Sequence, residues 1–135
     1  MSEEGTTDHA PHPSMQAPLV LDARSELLFF KSPTSLESWV EAVDVANGEY
    51  GQCWDSEGRL LQLRIELKEE RLLGLLRRRV ERVMLAPAED LPCHLPELHQ
   101  ALLAFLLKLN LEPKIPATGD TADLLELAIE YAGAQ

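Results

Sequence analysis

The chain has 135 residues and carries 12 Lys+Arg against 23 Asp+Glu, a formal net charge of −11. At that length a single domain buries about two thirds of its unfolded surface, so neither a metal nor a disulfide is needed for folding. The acidic balance excludes passive attraction to nucleic acid or anionic lipid, both of which call for a basic surface.

Residues 1–17 hold no large aliphatic side chain apart from Met1 and Met15. Such a segment buries too little apolar surface to offset its ordering entropy, and it is expected to be a disordered tail ahead of a single domain over 18–135. It also lacks the basic and apolar regions of a secretory signal. The longest apolar run, around Leu102 to Leu107, falls far short of the roughly 20 residues that span a bilayer. A cytoplasmic location with no membrane partner is the expectation.

Leu19-Val20-Leu21 and Glu26 to Lys31 are strand-length apolar runs separated by turn residues, an N-terminal hairpin. Ser32-Pro33-Thr34-Ser35 marks a helix start, with Thr34 and Glu37 spaced as a capping box. Leu36, Trp39, Val40 and Val43 then follow helical spacing, and one helix is expected to end near Asp44. Asn47-Gly48 breaks the pattern. Glu49 to Asp55 and Arg59 to Leu67 read as a second hairpin turning at Asp55-Ser56-Glu57-Gly58. Its second strand alternates Leu61, Leu63, Ile65 and Leu67 with Leu60, Gln62, Arg64 and Glu66, so one face is buried and the other polar.

Residues 68–86 fit two readings. A charged excursion over 68–78 followed by a strand up to Pro87 is favoured over one long helix. After a Pro-rich connection, Leu98, Leu102, Phe105, Leu106 and Leu109 line a helix from about Pro96 to Leu109, its first turn suited by Pro96 and Glu97. Asp120 or Thr121 caps a last helix that buries Leu124, Leu125, Ala128 and Ile129 and ends at Gly133. The expected fold is α+β, an antiparallel sheet of about four strands with about three helices packed on one face.

Charge is unevenly distributed. Residues 1–58 carry 11 acids against 2 bases and residues 83–135 carry 8 against 2, whereas residues 59–82 carry 8 bases against 4 acids. Arg77-Arg78-Arg79 and Arg82 lie in that basic block. Without aromatic residues beside them for base stacking, internal pairing with Glu69, Glu70 and Glu81 is favoured over nucleic-acid binding. In the acidic half, Glu37, Glu41, Asp44, Glu49, Asp55 and Glu57 form either a solvated polar face or a surface that meets a basic partner. Complementary charge of that kind speeds encounter. Tyr50 and Trp54, on the expected strand among these acids, fit either the core or the aromatic anchors of an interface.

Motifs of catalysis are absent from the sequence. There is no Gly-rich phosphate loop and no GxSxG elbow. Two cysteines, Cys53 and Cys93, are too few for a disulfide framework and do not have zinc-site spacing; buried free thiols are favoured over a single bridge. His94 and His99 are five apart and do not share a helical face, so a metal set or a thiol–imidazole pair with Cys93 is a minor reading. No cofactor, metal or catalytic residue is expected.

The segment Val43-Asp44-Val45, Gly48-Glu49-Tyr50-Gly51, Asp55 and Gly58-Arg59-Leu60-Leu61 resembles a pattern in small acidic bacterial immunity proteins. Pro87-Ala88-Glu89, Pro92 and Glu97-Leu98 extend the similarity, which covers roughly residues 19–108. Its motifs are a hairpin turn and a helix start, and residues 68–79 are longer than the pattern. The resemblance implies a cytoplasmic protein that binds and neutralises a cognate toxin domain without catalysis. The alternatives are a regulatory or adaptor module, for example a homodimer paired through a sheet edge, and a small hydrolase or binding enzyme that uses carboxylates.

Overall fold

Successive residues of a strand face opposite ways, and β1 (Leu19–Asp22) uses both sides: Leu19 and Leu21 enter one core, Val20 another. The computed structural model describes residues 15–24, 26–72, 76–88, 91, 93–117 and 119–135, and no side chain between 70 and 79. The expected tail lies outside the described residues up to position 14. The fold itself starts at or before Met15, whose side chain is buried in the first core. Glu89, Asp90 and Pro92 of the Pro-rich connection also lie outside the described residues.

β1 pairs antiparallel with β2 (Leu27–Phe30), Leu19 opposite Phe30, as the expected hairpin. The chain then enters α1 (Pro33–Trp39) from Ser32, two residues before the expected cap. Ser32 Oγ accepts the Ser35 N–H and Ser35 Oγ accepts the Ser32 N–H, so Ser35 takes the place expected for Glu37 in the capping box. A single helix through Val43 does not form. Val40 is extended, and a separate short helix, α2 (Ala42–Ala46), follows. The β-branched residues at 40, 43 and 45 weaken helix propagation. The break leaves Leu36 and Val40 buried but turns Trp39 and Val43 outward, 44% and 58% exposed.

The strand expected over 49–55 shortens to β3 (Cys53–Trp54). Ahead of it, the Gly51 N–H donates to Asp22 O and the Asp22 N–H to Gln52 O. Beyond it come the expected turn, with Gly58 at φ +89, and β4 (Leu60–Leu72). Residues 68–72 and 76–78 are strand rather than excursion or helix, and 73–75 lie outside the described residues. β4 continues to Leu72 and pairs antiparallel with β5 (Leu76–Pro87) along its whole length, from Leu61 opposite Pro87 to Leu72 opposite Leu76. The register sets Glu66 opposite Arg82, and opposite charges facing across an antiparallel pair stabilise it. The arginine side chains at 77–79, for which internal pairing was expected, lie outside the described residues.

The sheet therefore has five antiparallel strands in the order β2-β1-β3-β4-β5, one more than expected. The expectation of helices on one face is also corrected. Leu36 and Val40 of α1 and its following residue pack with Leu19, Leu21, Cys53, Leu61, Val83 and Leu85 on one side. On the other side α3 (Leu95–Lys108) and α4 (Thr121–Ala132) pack with Val20, Leu27, Phe29 and Trp54. Leu98, Leu102 and Leu106 are fully buried, each contributing about 1.5–3 kcal/mol. The α4 start and stop match the sequence, with Asp120 capping and Gly133 at φ +83.

Candidate functional site

Of the eight residues singled out above, four come together. Tyr50 lies half-buried after α2, against the first core. Asp44, Glu41 and Glu49 are close enough to its hydroxyl to act on it electrostatically, Asp44 most strongly. Burial, then the charge of Asp44 and of Glu41, raise the phenol pKa above its ordinary value. α2 positions Asp44, the residue before that helix is Glu41, and the following loop supplies Glu49 and Tyr50. Arg24 pairs with Glu49 at 2.8 Å, but its own side chain is 71% exposed, so the pair is solvated and weak.

Glu37 has a different task. Its Oε2 accepts the Leu85 N–H at 2.7 Å, which ties α1 to the outer edge of β5. Trp54 and Asp55 do not reach the surface, and this corrects their assignment to a docking face. Trp54 packs in the second core, on the side of the sheet away from Tyr50, and its indole N–H has no hydrogen-bond partner. Asp55 is fully buried. One of its oxygens accepts the Glu57 and Arg59 N–H groups at 3.0 and 2.9 Å, and the other accepts from the Gln16 N–H and Arg59 Nη1 at 3.2 and 3.0 Å. Glu57 is exposed and pairs with the same Arg59 Nη1 at 2.9 Å. Asp55 thus builds the turn and anchors the entering chain. An Asp opening a Gly-containing turn gives this away in sequence; nothing local connects Glu37 to Leu85.

A groove of about 560 Å³ runs between the α1–α2 junction and the outer edge of β5, with Glu37, Glu41 and Ala42 on one wall and Glu81, Arg82 and Val83 on the other. It adjoins the acidic cluster through Glu41. Sequence reasoning missed it, because it depends on β5 being an edge strand. Both cysteines are free; Cys53 is buried, which pushes its thiol pKa up, and Cys93 is exposed. Among the described residues no group of three or more His, Cys, Asp and Glu side chains is arranged to hold a metal ion, and no helix is long and apolar enough to cross a membrane.

No protein-family model, curated protein or solved structure matches this chain.

Proposed function

We propose that this chain is a non-catalytic binding domain of the immunity type, which occludes a basic protein toxin with the acidic face around α2. The observation that carries the reading is the convergence of Glu41, Asp44 and Glu49 on Tyr50. Three carboxylates around one half-buried aromatic ring offer steering charge and an anchor in the same patch. Charge of this kind raises association rates by orders of magnitude at low salt, and an aromatic ring at its centre suits a binding hot spot. Carboxylates held this way can take the place of substrate phosphate against a toxin's Arg or Lys.

The test is growth protection. A basic domain encoded beside this chain is expressed under an inducible promoter, with and without the chain. Protection by the wild type, lost on simultaneous Glu41→Lys, Asp44→Lys and Glu49→Lys with the fold intact by circular dichroism, is the expected result. Equal protection by the reversed variant overturns the acidic-face reading. Failure of the wild type to protect overturns the immunity reading, and a stable oligomer of the lone chain would then favour the adaptor alternative.

A further inference from the structure

We propose that the outer edge of β5 takes up an extended basic segment of a partner protein as a sixth strand, in the groove beside α1; this deepens the reading above and rests on it for the partner's charge.

The argument starts from hydrogen-bond direction. The Leu85 N–H points away from β4, since it donates to Glu37. In an antiparallel pair the main-chain groups of alternate residues point the same way, so those of Val83 and Glu81 also face outward. Glu37 ends the open stretch at Leu85. The opposite edge of the sheet is closed: on β2, Phe29 O accepts the Gln135 N–H at 2.8 Å and the Lys31 N–H donates to Gln135 O at 3.0 Å. One edge is thus covered while the other opens into a groove. β4 is open too beyond Leu61, where β3 stops, but the groove follows β5.

Charge then selects the occupant. Side chains of an added strand that face α1 would meet Glu37, Glu41 and Glu81, with Arg82 the one cation among the described residues that line the groove. Lys or Arg at alternate positions complements this negative charge, while the main chain pairs with Glu81 and Val83. An exposed edge of this kind otherwise invites uncontrolled pairing.

The probes are short capped peptides alternating Lys with Val, the matching Glu–Val peptide, and a Lys–Val peptide N-methylated at adjacent central residues so that both its edges lose donors. Binding to the full chain is measured by calorimetry, with hydrogen exchange at Glu81 and Val83. Glu81→Pro removes one outward donor without touching the β4 ladder, a change edge strands tolerate. Glu81→Gln removes the charge alone, and Leu67→Pro removes a donor from the β4 edge. The Lys–Val peptide should bind the wild type and Leu67→Pro alike and protect the two amides. It should bind Glu81→Pro at least about tenfold more weakly, with Glu81→Gln in between; the N-methylated peptide, which leaves the protein unaltered, should lose as much.

Equal binding by Glu81→Pro and Glu81→Gln overturns the edge proposal and leaves the basic-partner reading intact. No binding of the Lys–Val peptide, or equal binding of the Glu–Val peptide, overturns the proposal as well. So does a dimer in sedimentation that Glu81→Pro dissolves, which would assign the edge to a second copy. Edge pairing together with failed growth protection would overturn the immunity reading alone.

Discussion

The Glu37 carboxylate and the Leu85 main chain, 48 residues apart in sequence, meet at 2.7 Å. Through this bond a side chain, rather than a neighbouring strand, ends the free edge of the sheet. The bond also holds α1 over the core formed by Val83 and Leu85.

Glu37→Gln keeps an oxygen acceptor at that position and should change stability by less than about 0.5 kcal/mol. Glu37→Ala removes it and should cost about 1–3 kcal/mol, the penalty for a partly buried N–H left without a partner. Urea unfolding of the two variants measures the difference. Equal losses in both would show that the acceptor is not what matters at this site.

Asp55 gives a larger effect. It accepts four hydrogen bonds from a fully buried position, two of them from the main chain and the guanidinium of Arg59. Asp55→Ala leaves those main-chain donors unpaired and should cost at least about 2 kcal/mol, since each buried donor left unsatisfied costs about 1–3 kcal/mol. The loss includes the anchor at Gln16, so proteolysis should cut residues near 16 earlier in the variant. A loss below about 1 kcal/mol would mean that solvent replaces these bonds without cost.

Two of the three described glycines of positive φ separate conformation from space. Gly48, at φ +70, has nothing within 4 Å of an added Cβ, whereas at Gly58, at φ +89, that atom would lie 2.5 Å from the Leu95 backbone. Gly58 O also accepts the His94 N–H at 3.0 Å, so this approach fixes the start of α3 on the turn. Gly48→Ala should cost about 1 kcal/mol from backbone strain alone. Gly58→Ala should cost clearly more, because backbone must move. Thermal melts of both variants test the order, and a reversal would place the strain elsewhere.

What the sequence revealed follows the range of the interactions involved. The first hairpin, the turn at Gly58 and the caps at Asp120 and Gly133 depend on neighbours within a few residues, and all were legible. The split at Val40 was not, because helical spacing describes a face and cannot tell that Val40 is extended and that Trp39 and Val43 stay largely exposed. The length of β4 and β5 was hidden for a related reason. The charged run from Lys68 onward reads as an excursion, because nothing local shows that Lys68 stands opposite Val80 and Glu69 opposite Arg79 in the ladder. At the candidate site, the acids of α2 and its loop were legible because they are close in sequence. Trp54 and Asp55 were misassigned because composition does not record which side of a sheet a residue faces, or which donors a buried carboxylate meets.

Tyr50 offers a reading of the acidic cluster that needs no partner. Its phenol pKa is raised above 10.0 by burial first, then by Asp44 and Glu41, with Glu49 adding to it. Below the unfolded value of about 10 both states keep the proton and the group adds no pH dependence. Above it the unfolded chain releases the proton first, so stability falls as pH rises toward and through the folded value. The wild type should therefore lose stability more steeply than Tyr50→Phe above pH 10 and in parallel with it below. The absorbance titration at about 295 nm, taken as wild type minus Tyr50→Phe, isolates this one phenol. Its midpoint should lie above 10 and move down in Asp44→Asn, but only part of the way, because burial is the larger cause and remains. A midpoint at or below 10 in the wild type would mean that the carboxylates do not gather around this ring, and the acidic face would lose its centre.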